Sequence, residues 1–396
     1  METERYIVLR APGASAEVLG GVRGGTAGGR DLDVEMEAAS LSAKDVQDAR
    51  RDPSLLGAAP VMPVVLIRPQ ADEGDAVALD ESDVTWGVTA VGAVDSPFTG
   101  AGVTVAVLDT GIDASHEAFA HATIEQKDFT GEGDGDGNGH GTHCAGTVFG
   151  GSVGGLRIGV APGVERALIG KVLDSNGGGT TEQILDGLLW AVRSGANVVS
   201  MSLGFDFPGL VRRLIDRGME VEPATSMALA AFRDNVRLFD ALGQLVRAHS
   251  SMFANSIVIA AAGNESRRPR YEVATSAPAA ADGLISVGAL QRRTGSPVRF
   301  GVATFSNATP VLSGPGVAIQ SAKSGGGLES LNGTSMATPH VAGVAALWYE
   351  QILATNPNAH IRQLEGRLIG TASLDDIADG ETLANVGVGI VRAPRQ

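Results

Sequence analysis

Three segments of the chain carry side chains that could together break an acyl bond. Ser335 lies in Asn332-Gly333-Thr334-Ser335-Met336-Ala337-Thr338-Pro339-His340, directly ahead of an apolar helical pattern at 341–347. A Ser so placed sits on a turn at a helix N-terminus, exposed, facing backbone N–H groups and the positive end of the dipole. That setting suits a nucleophile whose attack creates an oxyanion. A hydroxyl is inert until a base takes its proton, so partners are required. One is offered by Val103-Thr-Val-Ala-Val-Leu-Asp109-Thr110-Gly111, a β-branched apolar run ending in an acid and a Gly. It reads as a buried strand delivering Asp109 at its C-terminal end, where open α/β sheets place their sites. The other is Gly137-Asn138-Gly139-His140-Gly141-Thr142-His143-Cys144-Ala145-Gly146, where glycines let backbone and substrate approach His140 closely.

Taken singly, each residue has a plainer account. A Ser after Gly-Thr is an ordinary helix N-cap, an Asp at a strand end an ordinary turn residue, and a His between glycines an ordinary loop residue. Their joint occurrence and order change the weighing. Asp-Thr-Gly at 109–111, His-Gly-Thr-His at 140–143 and Gly-Thr-Ser-Met-Ala at 333–337 resemble the three signature segments of the subtilisin-like serine proteases, peptidase family S8. The resemblance runs from about Trp86 to about Val391. It includes Ala260-Ala261-Ala262-Gly263-Asn264-Glu265, which is similar to the family's oxyanion-hole segment.

The resemblance implies roles. Ser335 attacks the carbonyl, His140 carries the proton, and Asp109 holds the imidazole and stabilises its charged form. Asn264 and the Ser335 backbone N–H donate to the oxyanion. His143 is then structural. Gly177, Gly178 and Gly179 match a segment whose backbone pairs with an extended substrate. Ser202, Leu203, Gly204 and Ala261, Ala262, Gly263 match the walls of the pocket for the residue before the cleaved bond. Their small, uncharged side chains predict an apolar or permissive pocket.

Metal ligands are not expected. Asp134-Gly135-Asp136-Gly137-Asn138-Gly139 invites comparison with a calcium loop, but an EF-hand needs a bidentate Glu at its twelfth position, and position 145 is Ala. The run reads as a flexible acidic loop before His140. Many family members hold calcium shortly after the His-bearing helix, whereas 150–158 here has no acid or amide side chain. No cofactor is required for the chemistry, and structural calcium is not supported.

With 396 residues and 43% hydrophobic content the chain can bury a large core, and length alone allows two or three domains. A net charge of −15 argues against nucleic acid or an anionic membrane as partner. Cys144 is the sole cysteine, so no intrachain disulfide can form; it reads as a small buried apolar residue close to the site. The N-terminus lacks a basic n-region followed by an apolar h-region, which predicts a cytoplasmic protein, or a secreted one if a leader precedes this sequence.

Three regions are expected to position these groups. Residues 1–69 combine a strand pattern at 6–9, a helix start at 41–50 and a second strand pattern at 62–67, a small α+β domain. It resembles the family's propeptide domain, although the glycine-rich stretch 20–29 fits that pattern poorly. Residues 70–83 are an acidic linker, where any maturation cleavage is expected. Residues 84–396 alternate strand candidates (103–108, 167–172, 198–203, 257–262, 284–287) with helix candidates (181–194, 341–355), predicting an α/β fold with a mostly parallel sheet flanked by helices. The segment 205–256 is longer than the family's usual connection. It reads as two helices, the second with Leu229, Phe232, Val236, Phe239, Leu242 and Val246 at helical spacing. A lid over Gly204 and a surface decoration are both consistent with it.

The expected function is that of a serine endopeptidase working through an acyl-enzyme on Ser335 and made as a self-inhibited precursor. Its partners are then peptide or protein substrates and its own N-terminal domain. Two alternatives are a dedicated maturation protease for one partner peptide and a low-turnover peptide-binding protein on the same scaffold.

Overall fold

Successive side chains on a strand face opposite ways, and here that alternation builds two cores on one sheet. The computed structural model describes residues 3–11, 34–70, 83–248, 256–295, 297–356 and 360–395. The N-terminal elements are β1 (Glu4–Arg10), β2 (Glu35–Leu41), α1 (Ala43–Ala49), β3 (Leu55–Pro60) and β4 (Pro63–Leu66). There follow α2 (Trp86–Ala90), β5 (Thr104–Asp109), β6 (Thr123–Asp128), α3 (His140–Phe149), β7 (Ser152–Val153), β8 (Leu156–Arg157), β9 (Arg166–Lys171), β10 (Gly178–Thr180) and α4 (Thr181–Arg193). Beyond them lie β11 (Val198–Met201), β12 (Leu203–Phe205), α5 (Phe207–Asp216), α6 (Val221–Ala248), β13 (Ile257–Ala261), β14 (Leu284–Arg293), β15 (Arg299–Val302) and β16 (Leu312–Pro315). The chain closes with β17 (Ile319–Ala322), β18 (Leu328–Leu331), α7 (Thr334–Thr355), α8 (Ile361–Thr371) and α9 (Leu383–Val386).

The main sheet has the order β15-β14-β13-β11-β5-β9-β6, with β16 also beside β14. All its pairings are parallel except β14 with β15. Val105 and Val107 of β5 join one core with Ile169, Ile259 and the α3 and α7 side chains Val148 and Val341. Ala106 and Leu108 join the other, with Leu168, Val258 and the α4 and α6 side chains Leu188 and Leu238. Burial on both faces explains the unbroken apolar runs of the central strands. The expected α/β sheet flanked by helices is therefore the observed fold. Helix α4 begins with a capping box between Thr180 and Gln183, which fixes where β10 ends. Among the described residues no helix is long and apolar enough to cross a membrane.

The N-terminal region departs from the expected strand–helix–strand unit over 1–69. Its sheet is β2-β1-β3, and α1 starts from a Ser42–Asp45 capping box. The strand pattern at 62–67 does not belong to that sheet. It forms β4, which lies between β10 and β12 in a separate antiparallel sheet. A two-residue step after Pro60 carries the chain from its own domain into the larger one. The glycine-rich stretch 20–29 and linker residues 71–82 lie outside the described residues.

Helix α6 supplies the seat for the N-terminal sheet. Asn235 is fully buried and its Nδ2 donates to the Pro60 carbonyl at 2.8 Å, while Gly57 lies tight against Leu238. The buried stripe of α6 runs through Ala224, Ala228, Ala231, Asn235, Leu238, Leu242 and Val246. Leu229, expected in the core, is 58% exposed. The first half of the stripe is alanines, which let the helix approach its neighbours closely, and the second half is larger apolar side chains, with the expected Phe239, Leu242 and Val246 buried beside Leu238. Phe205, Phe207 and Phe232 stack edge-on to tie α5 to α6.

Candidate active site

Asp109 ends β5 and His140 begins α3, and the two meet at 2.8 Å, carboxylate Oδ1 to ring Nδ1. Both are buried. Burial opposes a charge on the imidazole, but the Asp109 carboxylate against it outweighs that, and His140 is held well above its ordinary value. His143 lies about one turn along the same helix, its Nε2 against the Ile319 carbonyl. Burial, with the neighbouring His140, pushes it down to about 3, so it is neutral and structural.

The loop before His140 is not the free acidic loop its composition implied. Asp136 accepts from Asn138 N, Gly139 N, Thr142 N and Thr142 Oγ1, and from Thr110 Oγ1 at 2.9 Å. The stretch 150–158 folds back on itself as β7 and β8. Among the described residues, Asp109, His140 and Cys144 are the one group of potential metal ligands lying within 4.8 Å of one another. The first two are already bonded to each other.

Ser335 is the second residue of α7, which begins seven residues before its apolar run and is N-capped by Gly333. Its backbone N–H has no intrahelical acceptor at that position. Pro339 within the helix has no N–H to return to the Ser335 carbonyl. That carbonyl instead accepts from Ser202 Oγ at 3.3 Å and from the Cys144 thiol at 3.4 Å. Ser202 and Cys144 thus both touch the Ser335 backbone. Burial pushes the Cys144 thiol up, keeping it protonated as that donor.

Asn264 follows β13 and Gly263, which has φ +110. Its Oδ1 accepts from Thr334 N and Thr334 Oγ1, both at 2.9 Å. With the oxygen end committed, Nδ2 must face outward, towards the groove beside Ser335. Gly263 N donates in turn to Thr334 Oγ1. Thr334 therefore orients the amide, a role that no motif reading assigned to it.

The groove holds part of the chain itself. In β4, Val65 pairs with Gly178 on one side and with Gly204 on the other. Leu66 N donates to Gly177 O at 2.7 Å, and Ile67 N lies 3.5 Å from Ser202 O. Ser335 Oγ donates to the Ile67 carbonyl at 2.9 Å, and Asn264 Nδ2 donates to the Arg68 carbonyl at 3.0 Å. Gln70 N continues the run to Asn332 O at 2.8 Å. Ser335, expected to be exposed, is fully buried. The cover is this segment, which sequence spacing does not reveal.

The sequence-predicted groove residues lie around that segment. Gly177 takes φ +80, and a Cβ there would stand 2.8 Å from Leu66 Cβ. Gly204 faces Ile67 across an ordinary contact distance. Leu203, Ala261 and Ala262 are buried behind the groove. The pocket at Gly204 is also lined by Glu265, Arg267 and Ser276, so it is less apolar than its small-residue walls implied. Glu265 Oε2 accepts from Asn307 Nδ2 at 2.6 Å and from Ser276 Oγ at 3.3 Å. Ser276 and Asn307 arrive from distant sequence with no motif to mark them.

Comparison with known proteins shows the family to which the chain belongs. The subtilase family model matches residues 100–389. Subtilisin E of Bacillus subtilis (strain 168) is 32% identical over 353 residues, covering 86% of this chain and 76% of that protein. Subtilisin DY of Bacillus licheniformis is 35% identical over 297 residues, covering 73% of this chain and 91% of that protein. A crystal structure of a cold adapted subtilisin-like serine proteinase aligns with a TM-score of 0.57 at 28% identity, over 79% of this chain and 99% of that one.

Proposed function

The chain belongs to the subtilase family and is a serine endopeptidase, and on that premise we propose that Asp109, His140 and Ser335 are its triad and that residues 1–70 hold it as a self-inhibited precursor. When the groove is free, a substrate strand takes the place of β4 between β10 and β12, by strand addition. Ser335 Oγ attacks the carbonyl carbon while the unprotonated form of His140 takes its proton at Nε2, and Asp109 stabilises the imidazolium so formed. Asn264 Nδ2 and the Ser335 N–H face the oxyanion. The C–N bond breaks as His140 returns the proton to the amine, leaving an ester on Ser335. Water then attacks that ester with His140 again as base, releasing the acid and restoring the hydroxyl.

The observation that carries this reading is the course of the chain from Pro63 to Gln70 through the groove, bonded on both sides as a substrate would be. Its register also supports inhibition over cleavage. Ser335 Oγ is engaged by the carbonyl of Ile67, but Asn264 by that of Arg68. Acyl transfer needs nucleophile and oxyanion donor at one carbonyl, and here they are divided between neighbours. Pro69 follows directly, so the Arg68 carbonyl, which Asn264 engages, precedes a residue with no N–H. The 86% coverage by subtilisin E exceeds what residues 100–396 could supply, so that likeness begins upstream of residue 100.

The test is expression of the wild type beside Ser335→Ala, with intact mass followed over time. Cleavage within 70–83 in the wild type alone is expected. An uncut wild type with full peptidase activity would overturn the precursor reading, and activity in Ser335→Ala would overturn the triad.

A further inference from the structure

Helix α3 starts on Gly139, which has φ +98 and no side chain to cap the orphan N–H groups of the first turn. Those groups are satisfied from outside the helix. Gly141 N donates to Thr110 Oγ1 at 3.0 Å, and Thr142 N donates to Asp136 Oδ2 at 2.8 Å. Thr110 Oγ1 in turn donates to Asp136 Oδ1 at 2.9 Å. Thr110 is the residue after Asp109, and Gly141 is the residue after His140. The strand end bearing the carboxylate and the helix start bearing the imidazole are thus joined through one side chain. We propose that Asp136 is a positioning residue for the peptidase reaction, setting the separation and angle of the Asp109–His140 pair. The proposal rests on the triad reading above.

Four features support it. Asp136 accepts five hydrogen bonds, from Thr110, Asn138, Gly139 and both donors of Thr142. Burial would favour the neutral acid, but these donors outweigh it and keep the carboxyl below its ordinary range, hence ionised at neutral pH. The Thr142 hydroxyl extends the network by accepting from Asp113 N at 2.9 Å. Thr110 is also gripped from the other side, since buried Lys171 donates to its carbonyl at 2.9 Å. A carboxylate alone can meet every one of these demands. In Asp136→Asn one terminal atom becomes a donor, and either orientation sets N–H against N–H.

The experiment uses the full chain, incubated until its mass stops changing, with competent sites counted by fluorophosphonate labelling of Ser335. Turnover per labelled site is then insensitive to any fraction that fails to fold. Asp136→Asn is expected to lower kcat per site on the order of 100-fold with KM little changed, the size expected when a reacting group is misplaced by about 1 Å. The low-field proton resonance of the His140 Nδ1–H should move or broaden. Thr110→Val breaks the same link, so the double variant should lose no more than the worse single one. Unchanged turnover per site with an unmoved resonance would overturn the proposal, as would losses that multiply in the double variant. Labelling and turnover that persist in Ser335→Ala would mean that the triad reading itself had failed.

Discussion

Leu66→Ala tests whether β4 gates the site by packing. Leu66 is 6% exposed and joins the core shared with α4 and α6, with its side chain against Gly177. The substitution leaves its N–H bond to Gly177 O in place and removes only apolar contact. Three carbons leave a buried site, which at about 0.8 kcal/mol each is about 2.4 kcal/mol of lost docking. That is about a 60-fold rise in the population with an open groove. The assay is the rate of fluorophosphonate labelling of Ser335 in full-length chain, read by intact mass so that uncut and processed species are separated. Val65→Ala on the same strand is the control: Val65 is 38% exposed and its loss should change the rate little. The charged contacts between the regions cannot substitute for this packing. In Arg5–Glu182 and Arg50–Asp234 the arginines are more than half exposed, and such pairs contribute about 0.2–1 kcal/mol. Labelling of folded Leu66→Ala at the wild-type rate would refute the idea that this segment closes the groove.

Two further outcomes follow from the site. Asn264→Ala should lower kcat per labelled site by about 3–4 kcal/mol of transition-state stabilisation, a magnitude carried over from a subtilisin oxyanion donor; equal kcat would remove Asn264 from the oxyanion role. Acid should destabilise the fold through His143 and His340, pushed chiefly by burial to about 3 and about 4. Both are neutral when folded, while an unfolded His takes up a proton below about 6.5. Stability is therefore lost as pH falls from that value, by about 2 kcal/mol per residue at pH 5. His140, held above its ordinary value, acts in the opposite sense: its contribution is complete below 6.5 and fades only as pH rises through its raised value. A thermal midpoint that does not fall between pH 7 and pH 5 would contradict the neutral, buried state of the pair.

What could be read from residue order was local: a β-branched run ending in Asp109, glycines around His140, Gly-Thr-Ser ahead of an apolar helix. These patterns report a strand end or a helix start, and such features are set by neighbours within a few positions. The misreadings were of contacts made across long separations. Ser335 looked exposed because nothing near it in sequence indicates that Ile67 lies over it. Residues 62–67 were grouped with their own domain because an isolated strand pattern does not name its partners; the partners are 178–180 and 203–205. Asp136 looked like loop solvation because its value lies in bridging Thr110 to Thr142, which only the fold brings together. Pro339 joins both kinds of information. A Pro that interrupts a helix is legible in sequence, and it frees the Ser335 carbonyl. That Ser202 and Cys144 fill the vacancy is a fact of packing. The nucleophile's backbone is thus held by a donor on the pocket wall and one on the His140 helix, so a change at either Ser202 or Cys144 bears on Ser335 directly.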